Sequence, residues 1–170
     1  VLAAAPLAQA QSNELKLDEN GEWLTTSQAV EGTPAWTVDR ARQDLADDRP
    51  AAAFSSIDNW IKAHDRKADL TLSTADEGSR VFFAEALLVR GDALTAMGDE
   101  YNALYDYERI VKEYPGTDTF VTAVERELDI GVRYVAGMKR RFLGVRILDA
   151  TDVGEELLIR VQERLPGSRL

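Results

Sequence analysis

Cysteine is absent from all 170 residues. Disulfides, thiolate metal sites, cysteine nucleophiles and a lipid-bearing N-terminal cysteine are thereby excluded from this sequence. A single histidine, His64, leaves no basis for a histidine-rich metal cluster. Positive charge is scarce: 20 Lys and Arg stand against 30 Asp and Glu, a net charge of -10 with a pI near 4.6. That balance argues against nucleic-acid binding, which needs clustered cations along a phosphate backbone. It favours solubility and basic partners. No run approaches the roughly 18 apolar residues of a membrane-spanning helix. The sequence also has no G-x-S-x-G, P-loop, H-E-x-x-H or G-x-G-x-x-G pattern. Its many carboxylates have no nucleophile or orienting partner at catalytic spacing, so no enzyme, cofactor or metal is expected.

What is present is ordinary for a folded domain: 45% apolar and 29% charged residues. The chain opens VLAAAPLAQAQ, an apolar, small-residue stretch ending Ala8-Gln9-Ala10. This matches the end of a secretory signal peptide with an A-x-A cleavage site, although an Ala-rich tail would look similar. Residues 1–10 are read as the remnant of such a signal and the mature protein as exported. Residues 11–33 read as a flexible linker in which Trp23 and Leu24 offer a docking point.

From Pro34 onward the apolar spacing is helical. Residues 34–47 carry Val38, Ala41 and Leu45, with Thr33 as cap and Pro34 in the first turn. Pro50 opens a second helix bearing Ala53, Ile57, Trp60 and Ile61, expected to stop near His64-Asp65. The polar stretch from Asp65 to Thr74 reads as a connection. Glu77 to Met97 is expected to be buried on more than one side through Phe83, Leu87, Leu94 and Met97, and Gly98 to supply its left-handed stop. Glu100 to Tyr114 follows, with Ala103, Tyr107, Ile110 and Tyr114 on one stripe, closing at Pro115-Gly116; the pair forms an αα-hairpin. Asp118 or Thr119 caps a long helix carrying Val124, Leu128, Gly131 and Val135, whose basic end Lys139-Arg140-Arg141 suits a helix C-terminus. Residues 142–149 fit either a kinked helical continuation or a short extended link. A last helix runs from Thr151 to Leu165 through Val153, Leu157 and Val161, closing at Pro166-Gly167. No hairpin of strands is expected, and the fold class is all-α.

Internal repetition organises these helices. Tyr114-Pro115-Gly116-Thr117 and Leu165-Pro166-Gly167-Ser168 are near copies of one helix ending. Residues 84–117 resemble a tetratricopeptide repeat, a 34-residue helix–turn–helix unit. From Ala84 as first position, Leu87, Gly91, Leu94, Gly98, Ala103, Tyr107, Ile110 and Pro115 fall in register. Small residues at the eighth and twentieth positions let the two helices touch, and bulky neighbours fill the gaps. Arg90 departs from the pattern, standing where leucine is expected. Flanking units fit less closely: Ala53, Ile57 and Trp60 suit the first, and Gly154, Leu158 and Val161 the last, whose first helix would be stretched by about 17 extra residues. The expected architecture is a short right-handed α-solenoid over residues 34–170, with units at about 34–66, 77–117 and 118–168, continuing past the C-terminus.

A long-helix unit carrying Phe142-Leu143-Gly144, together with the Tyr-Pro-Gly-Thr and Leu-Pro-Gly-Ser endings, resembles the BamD family over roughly residues 35–170. Members of that family are periplasm-facing lipoproteins that scaffold β-barrel insertion through a barrel-forming subunit. The resemblance implies a scaffold at the periplasmic face of the outer membrane, binding proteins or peptides and including a barrel-insertion subunit. The family's lipid-bearing cysteine is missing from this sequence. A generic exported adaptor for cell-wall or secretion machinery, or an accessory domain of a longer enzyme, are the alternatives.

In such repeats the inner face of the first helix lines a concave groove, here Glu85, Leu88, Asp92 and Thr95. The lysine–asparagine clamp for C-terminal carboxylates is absent, since Leu88 and Asp92 hold those places. The groove would suit an extended or helical peptide with apolar and basic residues. Lys139, Arg140 and Arg141, continuing to Arg146, form the positive patch of an acidic chain. They read either as a helix end with a solvated face or as a contact for an acidic partner or lipid headgroups.

Overall fold

A computed structural model describes residues 13–17, 23–27, 29–71 and 77–165. The elements run β1 (Asn13–Leu17), β2 (Trp23–Ser27), α1 (Pro34–Ala46), α2 (Pro50–Thr71), α3 (Glu77–Ala96), α4 (Glu100–Glu113), α5 (Thr119–Val135), β3 (Arg140–Phe142), β4 (Val145–Leu148) and α6 (Thr151–Arg164). The chain is mostly helical, as its apolar spacing requires. The Ala8-Gln9-Ala10 pattern and the Pro166-Gly167-Ser168 ending lie outside the described residues.

The helix boundaries have local causes. Thr33 caps α1 by accepting the Trp36 N–H at 3.2 Å, and Pro34 occupies the first turn. The helices α1, α3 and α5 all end the same way. A left-handed residue (Asp48 at φ 57°, Gly98 at 79°, Gly137 at 98°) is followed by a paired closure onto the last turn. Arg49 N–H donates to Asp44 O at 2.8 Å, Asp99 to Leu94 at 2.8 Å, and Met138 to Arg133 at 2.9 Å. Each left-handed residue also donates three residues back, to Leu45, Thr95 and Tyr134. This is the Schellman arrangement, which satisfies carbonyls the helix leaves open. The sequence reading found Gly98 and overlooked the equivalent Asp48 and Gly137.

Consecutive helices pack in order, α1 on α2 through to α5 on α6, and α3 also touches α1 and α5. Three successive helix pairs result, their first helices adjoining one another. The core largely follows the predicted stripes: Val38, Ala41, Ala53, Ile57, Leu87, Ala103, Tyr107, Ile110 and Val124 are all fully buried, but at the end of α5 Tyr134 is buried in place of the expected Val135, which is 41% exposed. The α3–α4 crossing is close because Gly91 has no side chain; a Cβ there would come within 2.5 Å of the Tyr107 ring. Gly154 plays the same part where α6 crosses α5, facing the Gly131 carbonyl.

Four expectations are corrected. First, residues 11–33 are not linker throughout, because β1 and β2 pair antiparallel with Asn13 opposite Ser27 and Leu17 opposite Trp23. The intervening residues include Asn20-Gly21, a strong hairpin signal in sequence. Second, α2 does not stop at His64-Asp65 but runs to Thr71. No glycine or proline interrupts residues 62–71, and His64 lies inside the helix, stacked on Trp60 at 4.3 Å. Third, α5 ends at Val135, not at the basic run, because Gly137 closes it. Fourth, the extra residues of the last unit do not lengthen a helix. They form the β3–β4 hairpin, with Phe142 opposite Val145 and Arg141 opposite Arg146, and Leu143 and Gly144 at positive φ between the strands. The mostly helical fold is consistent with the all-α class, with two small two-stranded hairpins added to it.

Replacing Gly91 with alanine should destabilise the protein by about 1–3 kcal/mol, because the Tyr107 ring must shift within a packed core. Urea denaturation checks this; an unchanged midpoint would contradict the close crossing.

Candidate functional site

Glu85, Leu88, Asp92 and Thr95 do share one face of α3, directed between α1 and α5. Leu88 is partly buried against the core. The acids, however, already have cationic partners on the neighbouring first helices. Glu85 lies 3.3 Å from Arg42 of α1. Asp92 accepts from Arg126 Nε of α5 at 2.9 Å and from the Tyr107 hydroxyl at 2.8 Å. Thr95 Oγ1 lies 3.3 Å from that same hydroxyl. Burial first, then the Asp92 charge, pushes the Tyr107 phenol far above its usual range. The face is thus a row of alternating paired charges around a leucine, and Arg42 and Arg126 belong to it.

Lys139, Arg140 and Arg141 stand at and just before β3, away from the α3 face. Lys139 is exposed, while the Arg140 guanidinium lies 3.7 Å above the Tyr101 ring, a cation–π contact. Arg141 donates to Met97 O at 2.6 Å. Arg146 on β4 donates to Glu100 Oε1 at 2.6 Å and to Lys139 O at 3.0 Å. The cations do complement a helix C-terminus, but that of α3 rather than their own helix. They fix the hairpin to the α3–α4 turn.

The sequence reading missed two buried charge clusters. Arg90, the exception in the repeat pattern, reaches Asp106 on α4 through Nε at 2.9 Å and Nη2 at 2.5 Å, and Asp58 on α2 through Nη1 at 3.0 Å. Asp106 is buried, and that burial raises its pKa against the pull of Arg90. The second cluster floors a cleft of about 220 Å³ between α4 and α6, walled by Leu104, Val153 and Leu157 with Tyr101 and Tyr105 at its edge. Arg164 bonds Glu108 at 2.5 Å and also bonds Glu127. Glu127 is fully buried, and burial together with the Glu108 charge raises its pKa to about 7 despite Arg164. Glu108 is held down at about 2: burial opposes this, and Lys112 and Arg164 outweigh it. Of the two carboxyls that Arg164 holds, Glu127 is thus the one more readily protonated. The sequence signal was a glutamate on the apolar stripe Val124, Gly131, Tyr134 of α5.

No group of three or more potential metal ligands occurs among the described residues. No described helix is long and apolar enough to cross a membrane. Comparison with family models, with characterised proteins and with solved structures finds no match to this chain.

Arg90→Leu, which restores the repeat pattern, should cost about 3–5 kcal/mol because Asp106 and Asp58 lose their buried partner. Adding Asp106→Asn should recover part of that loss in the same denaturation assay; full stability of the single variant would refute the role of the pair. The Glu127–Glu108 pair sets a pH signature. A folded pKa raised above the unfolded value stabilises at low pH and loses that contribution as pH rises through about 7. The melting temperature of the wild type relative to Glu127→Gln should therefore fall between about pH 5 and pH 7 and level off above about pH 8. A constant difference between the two proteins across that range would contradict the raised Glu127 pKa.

Proposed function

We propose that this chain is a non-catalytic scaffold of tetratricopeptide-like repeats that binds other proteins, forming a short right-handed α-solenoid. What supports the reading is three successive helix pairs, each closing its first helix with the same left-handed stop, with the first helices adjoining. The Arg42–Glu85 and Arg126–Asp92 pairs join the first helices of successive pairs. In a stacked array, function resides in an extended face more than in a catalytic pocket. The binding face is that of α3, with Leu88 flanked by the Arg42–Glu85 and Arg126–Asp92 pairs. Its alternating charges fit a peptide of complementary alternation around an apolar residue.

The cellular role within this reading is outer-membrane protein assembly from the periplasmic side, supported by the BamD-like helix endings of the sequence; Phe142-Leu143-Gly144 lies in the β3–β4 hairpin, not in a long helix, and lends it no support. The secretory pattern at residues 1–10 supports export.

The test is crosslinking of the mature, full-length protein in its native envelope, followed by mass spectrometry of captured proteins. Recovery of a barrel-insertion subunit is expected. Capture of cell-wall or secretion proteins instead would discard the assembly role and keep the scaffold. Asp92 is unsuited to charge reversal, since it also satisfies Tyr107. Exchanging the pair as Arg42→Glu with Glu85→Arg preserves the bridge while inverting the surface, and should weaken capture about tenfold or more. Unchanged capture would move the binding face elsewhere.

A further inference from the structure

The β3–β4 hairpin has its polarity reversed. In a hairpin laid on a protein, the apolar side of the alternation ordinarily faces the body and the polar side faces water. Here the cross-strand partners Arg141 and Arg146 face the body, reaching Met97 O and Glu100. The other cross-strand pair, Phe142 and Val145, is exposed by 49% and 58%. Ile147, at the irregularity in the strand register, is also exposed, at 54%. At the tip Leu143 is 89% exposed and sits at φ 49°, a conformation that favours Asn, Asp or Gly. Folding gains nothing from a leucine there: the backbone is strained and the side chain touches water. Such a residue points to a role outside the fold.

Charge identifies the surface this tip fits. Residues 136–150 contain Lys139, Arg140, Arg141 and Arg146 against a single carboxylate, Asp149, on a chain whose net charge is -10; Arg146 is paired with Glu100, which leaves Lys139, Arg140 and Arg141 to supply the positive field. An anionic surface would repel most of this molecule and attract this segment. The apolar side chains also stand on a projecting turn, the shape that enters a soft interface.

We propose that the β3–β4 hairpin is a peripheral contact with anionic lipid bilayers. Phe142 and Leu143 enter the interfacial region, and Lys139 and Arg140 remain at the headgroups. The proposal is independent of the scaffold reading, because it needs neither the repeats nor a protein partner.

The test is sedimentation of the purified protein with vesicles of phosphatidylcholine containing about a third phosphatidylglycerol, against phosphatidylcholine alone. Binding should be selective for the anionic vesicles and should weaken in high salt. The double variant Phe142→Thr with Leu143→Asn should lower the partition coefficient about tenfold or more. Asparagine suits the left-handed turn better than leucine and threonine keeps strand propensity, so this loss would not come from unfolding. The absence of cysteine makes Leu143→Cys a unique labelling site, where an environment-sensitive dye should shift to the blue on the anionic vesicles. Equal binding to both vesicle types, undiminished binding by the double variant, or an unshifted dye would each overturn the proposal. So would failure to bind lipid combined with hairpin-dependent capture of an acidic protein.

Discussion

Arg90 is the constraint on which the helical stack turns. A guanidinium among buried side chains is tolerable only when its donors are met, and its planar fork meets two carboxylates at set angles. One of these comes from α2 and the other from α4, so satisfying Arg90 fixes three helices at once. Apolar contacts alone would allow α3 to slide or rotate by a fraction of a turn, since leucine and alanine tolerate many contacts. Arg164 repeats the device one pair further on, reaching Glu108 of α4 and Glu127 of α5 from α6. Arg109 adds a third bridge, from α4 to Asp65 of α2, while lying over the Phe83 ring. An acidic chain has carboxylates in excess, and Arg90, Arg109 and Arg164 gather them from different helices.

The second of these junctions carries a different electrostatic state from the first. Arg90 faces two aspartates with separate lobes of one fork, whereas Arg164 holds Glu108, which Lys112 also bridges, together with the fully buried Glu127. Burial disfavours the charged form of Glu127 more than Arg164 favours it, so its pKa is raised to about 7. The α4–α5–α6 junction is thus sensitive to pH on the acid side of neutrality. The cleft beside Tyr101 and Tyr105 opens on the sensitive junction.

Much of the helical frame was legible because its information is local. Spacing of Val38, Ile57, Leu87, Tyr107 and Val124 marks buried stripes, and Gly98 marks a stop, without reference to distant residues. The β3–β4 hairpin was not legible for the same reason in reverse, whereas β1–β2 carried a local signal in Asn20-Gly21. At β3–β4 the apolar residues face outward, so the pattern that marks a half-buried strand has no buried half. The basic run Lys139-Arg140-Arg141 was assigned to the end of its own helix, when Gly137 had already closed it and the charge serves α3. His64 looked like an end because polar residues follow it, yet helix-forming residues carry α2 on to Thr71. Of the candidate face, the helix positions were legible but the charge was not. Arg42 and Arg126 neutralise Glu85 and Asp92 from separate helices, and only stacking brings them there.

The position of the hairpin relates the two proposed surfaces. Its arginines attach it to the turn between α3 and α4, and it also forms the connection between α5 and α6, so it projects from the end of the stack where first helices hand over to second ones. The face bearing Glu85, Leu88, Asp92 and Thr95 runs along α3 instead, between α1 and α5. A bilayer met by Leu143 would therefore lie across the end of the helices and leave the α3 face open at the side. The two proposed contacts then do not compete for area. The reversed polarity of the hairpin follows from the same arrangement: its arginines are needed inward, to close the carbonyl end of α3, so its apolar residues can only be turned out.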